Sequence, residues 1–517
     1  MQLKNSGVLS AQEIATHRST SSCWIVVDGK VYDVTSYLDE HPGGAAVLLK
    51  QGGTDATAEF RKIHSPDILK YLPKDACLGA IDAATRAALS ISSASAESTG
   101  SNLETKGDGN GFIPHISSIV VPNDFEVAAK AAMPLKSWTY VSSSAHDGSS
   151  LRGNLASWHA VRFRPRIFHD VSTADPRTHI LGAPSAFPFY VSPMGQLGRG
   201  HPAAEAGVVR ALARRGVHGV LSAESTVQME EIAAAFLDEK KKKKEEKKGE
   251  EGRAETSTNA DTRDSRPEAQ LHFQLYVPAD RAIAVQRIRR ARATGAFHSL
   301  WVTVDTPVLG KRTADRKLQA AEALSASPEL EAHAERAGFG LLSHAGPSLF
   351  NSTLTWDDVA WIKREWGGPV VLKGVQTAED AARAAELGLE GVLLSNHGGR
   401  QMHGAPDALT TLLEIRKYYP GLVDRIEVFV DGGCRDGADV LKAVALGARA
   451  VGVGRPFFYA LATYGEKGVE RCADIFADEL VTGMKLVGMK NLKEATPERV
   501  NASRLLNEIW RPEKSRL

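Results

Sequence analysis

From about residue 187 onward the chain repeats one pattern. Short runs of β-branched and apolar residues alternate with longer Ala/Leu/Val-rich stretches at helical spacing, as expected for successive βα units around a parallel sheet. Eight such runs occur: Phe187–Gly195, Gly219–Ser225, His272–Val277, Leu300–Pro307, Pro369–Val375, Gly391–Gly399, Ile426–Gly433 and Ala450–Pro456. Between them, His201–Gly216, Thr377–Leu387 and Asp436–Leu446 read as helices. Eight units predict an α/β fold closed into a (β/α)8 TIM barrel. A doubly wound open sheet would normally carry a G-x-G-x-x-G turn after its first strand, and none is present.

The N-terminal pattern is different. Cys23–Val27 and Lys30–Val34 read as two strands joined by Asp28-Gly29, a hairpin turn signal, which predicts a small α+β domain over residues 6–82. The Ser/Ala/Gly/Thr-rich stretch that follows has few groups able to build a core, so residues 83–115 read as a flexible linker. The barrel is expected over 116–490 and a tail over 491–517. Residues 238–267 interrupt it with Lys240–Lys244 and further Glu, Gly, Ser and Thr, the composition of a solvated, disordered insertion in a surface loop.

Composition narrows the function classes. Lys plus Arg total 63 against 62 Asp plus Glu, so no global field draws the protein to nucleic acid or anionic lipid. No apolar run has the length of a membrane span, and residues 1–10 lack the plan of a secretory signal. Cys23, Cys77, Cys434 and Cys472 are scattered without zinc or disulfide spacing, which fits a reducing compartment.

Chemistry-bearing residues fall where a barrel places its active face, at the C-terminal ends of the strands. The third run ends in Gln274 and Tyr276, the fourth in Thr303 and Asp305, and the fifth in Lys373. The sixth ends in Ser395-Asn396-His397-Gly398-Gly399-Arg400, the seventh in Asp431-Gly432-Gly433-Cys434-Arg435, the eighth in Gly454-Arg455. Gly432, Gly433 and Gly454 permit close backbone approach, and Arg435 and Arg455 are forked donors suited to a phosphate. An isolated Gly-Gly would be read as a tight turn; paired arginines on adjacent loops favour the phosphate.

On these residues, and above all on Ser395-Asn396-His397-Gly398-Gly399-Arg400-Gln401, the stretch from about Val120 to Lys490 resembles the FMN-dependent L-2-hydroxy acid oxidases and dehydrogenases. The resemblance implies FMN as cofactor. It places Lys373 near flavin N1, has Ser222, Gln274 and Thr303 hydrogen-bond the flavin, and has Asp431, Gly432, Gly433, Arg435, Gly454 and Arg455 hold ribityl and phosphate. His397 is then the proton acceptor and Asp305 its partner, orienting the imidazole and stabilising the imidazolium. Arg400 and Tyr140 would clamp the substrate carboxylate, Tyr276 would contact its hydroxyl, and Arg312 would be a second cation. Removing two electrons and two protons from a 2-hydroxy acid requires a base and an electron sink acting together; carbanion and hydride routes use the same residues.

The N-terminal segment carries a second resemblance. Asp33-Val34-Thr35-Ser36-Tyr37-Leu38 precedes His41-Pro42-Gly43-Gly44, and His64 follows, as in cytochrome b5 domains. This implies that His41 and His64 ligate haem b iron on opposite faces, leaving no open position and suiting one-electron transfer. Zinc is the other reading of a histidine pair, but no further ligand completes it. The order of the two domains is that of the flavocytochrome b2 family, which implies a small 2-hydroxy acid substrate, cytochrome c as electron acceptor and a homotetramer. An oxidase returning electrons to oxygen and a redox sensor with an inactive barrel are the alternatives. Gly195 and Glu224 depart from the small or bulky apolar residues usual in lactate-using members, which puts lactate in doubt. Ser515-Arg516-Leu517 resembles a peroxisomal address, so peroxisome or cytosol is expected, with the mitochondrial intermembrane space implied by the family.

Overall fold

A computed structural model describes residues 9–38, 45–63, 69, 72–73, 75–82, 84–86, 89, 113–251, 266–326 and 351–511. The chain divides into two units, residues 1–106 and 107–517.

In the first unit, Arg18–Ser19, Ser22–Val27, Lys30–Asp33 and Cys77–Ala80 form a four-stranded antiparallel sheet in that order. The hairpin turn has the expected conformation, with Asp28 at φ 52 and Gly29 at φ 75. Val26 and Val27 are fully buried, as is Cys23. Helices Ala45–Gln51 and Thr57–Ile63 follow, the second ending directly before His64. His41 and His64 themselves lie outside the described residues.

The second unit is the predicted barrel. Its strands are β1 (Phe189–Val191), β2 (His218–Leu221), β3 (Leu271–Tyr276), β4 (Phe297–Thr303), β5 (Val370–Val375), β6 (Gly391–Leu394), β7 (Glu427–Asp431) and β8 (Ala450–Val453). All pair in parallel with their sequence neighbours, and β8 closes on β1. The predicted runs extend past several strand ends because their last residues belong to the loops that follow the strands. Inside the barrel Tyr190, Val220, Trp301, Val371, Leu393, Phe429 and Ala450 pack together. The hairpin of Thr178–Ile180 and Ala183–Ser185 covers the N-terminal end, inserting Ile180 and Leu181 into that core. The N-terminal end is thus filled for stability while the other end stays open for chemistry.

Two expectations are corrected. The lysine run is not a disordered loop: helix Met229–Glu251 carries it outward without a break. Ile232 and Phe236 anchor its first turns in the core, Lys and Glu are strong helix formers, and Lys240 and Lys244 hold Glu268 at 3.1 and 3.0 Å. Nor are residues 491–511 a separate tail. Val500–Asn501 pairs with Arg162–Phe163, and Val500, Leu505 and Ile509 are buried in the barrel's core. No described helix is long and apolar enough to cross a membrane.

Candidate active site

Among the described residues, the strand ends expected to carry chemistry converge on one cavity of about 390 Å³. His397 lines it. The chain leaves β6 through three consecutive left-handed residues, His397 (φ 60), Gly398 (φ 65) and Gly399 (φ 77). For a histidine that conformation is strained, and it persists because the surroundings overdetermine it. The His397 N–H donates to Ser395 Oγ at 3.0 Å, and the Gly399 N–H donates to Asn396 Oδ1 at 2.9 Å. The Asn396 and Asn154 amides then exchange two hydrogen bonds, of 2.8 and 2.7 Å.

Asp305, just past the end of β4, accepts from His397 Nδ1 at 2.9 Å and is fully buried. It fits only because residue 374 is glycine: a Cβ there would fall 2.5 Å from Asp305 Cγ. Gln401 holds this loop, donating through Nε2 to the carbonyls of Asp305 and Val308, both at 3.0 Å, and accepting from the Gly310 N–H at 2.9 Å. Burial pushes the His397 imidazole down to about 4, with Lys373 and Arg312 acting the same way and Asp305 opposing them. Asp305 is held at about 2: His397, Lys373 and hydrogen bonds from His397 and Thr306 outweigh its burial. At neutral pH the pair is therefore a free imidazole beside a carboxylate, with Nε2 toward the cavity and the Tyr276 hydroxyl 3.4 Å away. The pair thus presents an unprotonated ring nitrogen to the cavity with a buried carboxylate behind it, an arrangement able to accept a proton.

The acid limb of kcat/KM for flavin reduction should accordingly lie near 4 and not near the ordinary histidine value of about 6.5, because activity is lost as falling pH protonates His397. A pH profile measures this, and a limb at the ordinary value would contradict the buried-base assignment. Linkage has the same sign. The unfolded chain binds this proton more readily, so the stability held above the unfolded value is lost as pH falls toward about 4.

One part of the cavity is cationic. Arg400 Nη1 donates to the carbonyls of Tyr140 (2.7 Å), Ser143 (2.9 Å) and Val141 (3.3 Å), and its guanidinium carbon is 5.2 Å from the Tyr140 ring centre. Burial, then repulsion from Arg312 and Arg455, lowers its affinity for its proton. Arg312 also lines the cavity, with Nε buried and lacking a hydrogen-bond partner among the described residues. Such a cluster calls for an anion.

The cofactor end fits FMN. Lys373, buried at the end of β5, attracts both Asp305 and Asp431. Asp431 Oδ1 and Arg435 Nη1 are buried without a partner among the described residues, the state expected of groups facing a ligand. Gly432 and Gly433 are left-handed and press on helix Ser149–Ala160, where a Cβ on Gly433 would fall 2.4 Å from the Asn154 carbonyl. Trp158 Nε1 donates to the Gly432 carbonyl at 2.8 Å. Ser222 and Gly454 line the cavity.

Other expected residues behave differently. Gln274 and Thr303 are buried and do not line the cavity; they are bonded to each other at 2.9 Å, with Gln274 also accepting from the Ala223 N–H at 3.2 Å. Arg435 pairs with Glu126 at 3.0 Å. Arg455 engages carbonyls with all three nitrogens: Val141 (3.1 Å), Gly398 (3.1 Å) and Ser143 (3.3 Å). Glu224 does not pair with Arg312; the cation acting on it is Arg287, and burial raises its pKa. Gly195 does not open free space, because a Cβ there would meet the Glu224 carbonyl at 3.0 Å and its Cβ at 3.2 Å.

Sequence reasoning missed Asn154, Trp158, Gly374 and Arg199. An asparagine inside a helix is disfavoured unless its amide has work elsewhere, a signal that was available for Asn154. Nothing marked Arg199, an exposed residue on the loop after β1.

Comparison with known proteins agrees with this geometry. Residues 129–502 match the FMN-dependent dehydrogenase family, and residues 10–82 match the cytochrome b5-like heme/steroid binding domain. The chain is similar to L-lactate dehydrogenase (cytochrome) of Wickerhamomyces anomalus, at 34% identity over 96% of this chain and 81% of the relative. It is 35% identical to glycolate oxidase of Spinacia oleracea over 74% of this chain and 95% of that one. Among solved structures, a variant of flavocytochrome b2 with pyruvate bound superposes with a TM-score of 0.65 at 33% identity, covering 78% of this chain and 91% of the other. The chain therefore belongs to the FMN-dependent dehydrogenase family, in the form that carries a cytochrome b5-like haem domain ahead of its barrel.

Proposed function

We propose that the protein oxidises an L-2-hydroxy acid to the 2-oxo acid and delivers the electrons through its own haem to an acceptor such as cytochrome c. The observation that carries this reading is the His397–Asp305 pair beside a cationic clamp in a cavity fit for FMN. Bound FMN supplies the two-electron sink, and haem b passes electrons on singly. The protein groups do the rest. Arg400, Arg312 and Tyr140 receive the substrate carboxylate, which points C2 and its hydroxyl toward Nε2 of His397. Tyr276 meets the hydroxyl, His397 takes the proton, and Asp305 stabilises the resulting imidazolium. The test is anaerobic: an L-2-hydroxy acid should bleach the flavin and then reduce cytochrome c, and the homotetramer implied by the family should be visible by size. The N-terminal haem domain favours this over an oxidase, in which electrons would return to oxygen.

The preferred substrate has a larger or hydrogen-bonding C2 substituent instead of the methyl of lactate. Glu224 lines the cavity beside Gly195 and is half buried. A carboxylate there is a poor surface for a methyl group. Glu224→Leu should raise kcat/KM for lactate relative to the wild type's best substrate by roughly 10- to 200-fold, the worth of one pocket contact; an unchanged order across lactate, glycolate, mandelate and longer hydroxy acids would leave Glu224 a structural role only.

Peroxisome or cytosol is the location proposed, on the resemblance of Ser515-Arg516-Leu517 to a peroxisomal address; these residues lie outside the described residues. A fluorescent protein fused to the N-terminus should collect in puncta that disperse on deleting Leu517. Mitochondrial staining of a C-terminal fusion would favour the intermembrane space.

A further inference from the structure

Arg199 lines the active-site cavity together with Tyr140, Gly195 and Glu224. Its guanidinium carbon stands 4.7 Å from the centre of the Tyr140 ring, the ring that Arg400 also approaches. Its Nε donates to Gln196 Oε1 at 2.5 Å. Among the described residues no carboxylate forms an ion pair with Arg199. The loop beneath it is built, not loose. Gln196 is left-handed (φ 59), and its N–H donates to the Glu224 carbonyl at 2.9 Å. The Leu197 and Thr226 N–H groups converge on Glu205 Oε1 at 3.0 and 2.9 Å, and the Gly198 N–H donates to Thr226 Oγ1 at 3.0 Å. A Cβ at Gly198 would fall 2.6 Å from Thr226 Cγ2, so the loops after β1 and β2 are in van der Waals contact there. A solvated surface arginine is normally mobile; this one is oriented by a hydrogen bond, a ring and a pinned loop.

We propose that Arg199 forms a second anion subsite at the cavity wall, so that the enzyme favours 2-hydroxy acids whose C2 substituent ends in a further carboxylate. The inference rests on the reading above that an L-2-hydroxy acid is oxidised in this cavity. Arg400 and Arg312 take the carboxylate next to the reacting carbon. Arg199 enters from the β1 loop, on the side of Gly195 and Glu224 assigned to the C2 substituent, and supplies a forked donor for a distal carboxylate. Glu224 does not cancel it. Among the described residues Glu224 forms no ion pair with Arg199; the cation acting on it is Arg287, and burial raises its pKa.

The test compares L-lactate with L-malate and L-2-hydroxyglutarate on the FMN- and haem-loaded protein, by anaerobic flavin reduction and by steady-state cytochrome c reduction. Wild type should show a higher kcat/KM for at least one diacid than for lactate. Arg199→Gln should lower diacid kcat/KM by about 10- to 100-fold more than it lowers that for lactate, the scale of one charge-assisted contact, mainly through KM, and Arg199→Lys should recover part of the difference. Lactate turnover in the same preparation controls for misfolding. Equal losses on lactate and diacids would overturn the subsite in favour of a role in holding Tyr140, as would a wild type preferring lactate to both diacids. Flavin that no hydroxy acid reduces would instead overturn the underlying reading.

Discussion

Replacing His397 with Gln should slow reduction of the flavin by substrate roughly 10²–10⁴-fold, the range a positioned general base contributes. Glutamine keeps a polar side chain on the left-handed turn but cannot accept the proton. The groups that fit FMN, Lys373, Asp431 and Arg435, sit on other strands, so flavin content should remain close to wild type. Rapid anaerobic mixing separates the two quantities, and a near-normal reduction rate would remove His397 from the chemistry. Asp305→Asn should also slow the reaction, because the neutral amide no longer stabilises the imidazolium and the buried environment offers little else to do so.

Replacing His41 or His64 with Ala should remove the sharp reduced b-type bands and bring cytochrome c reduction down to near background, while substrate still bleaches the flavin. The haem domain and the barrel are separate units of the chain, so loss of an iron ligand leaves the barrel's base and clamp intact. Unaltered haem bands in the double variant would show that other residues hold the iron. Cytochrome c reduction that survives loss of haem would mean that electrons leave the flavin directly.

All eight barrel strands were legible, because a strand buried on both faces is a short apolar run bounded by polar loops, as at Val370–Val375 and Ala450–Val453. The lysine helix was not. Lys240–Lys244 has the composition of a solvated segment, and the anchoring of Ile232 and Phe236, the Glu268 clamp and the helix propensity of Lys and Glu together make it helical. Of the candidate site, residues such as His397 and Arg400 could be picked out because they follow the end of a strand, and the structure brings both to one cavity. What stayed hidden depends on spatial partners distant in sequence. Gly374 makes room for Asp305, and Asn154, in a helix, grips Asn396 after β6. The same holds for Glu224: its type was noted, but the cation acting on it, Arg287, comes from helix Arg281–Ala293, which no local pattern linked to it.

The central claim is that substrate electrons enter at the barrel and leave through the haem of the same chain. It is tested most directly by mixing the oxidised protein with an L-2-hydroxy acid under nitrogen and following flavin and haem absorbance together. The flavin band should fall first and the reduced b-type bands should rise after it, with added cytochrome c then reoxidising the haem. Flavin that is reduced while the haem stays oxidised, and recovers only when oxygen is admitted, would contradict the account and identify the protein as an oxidase.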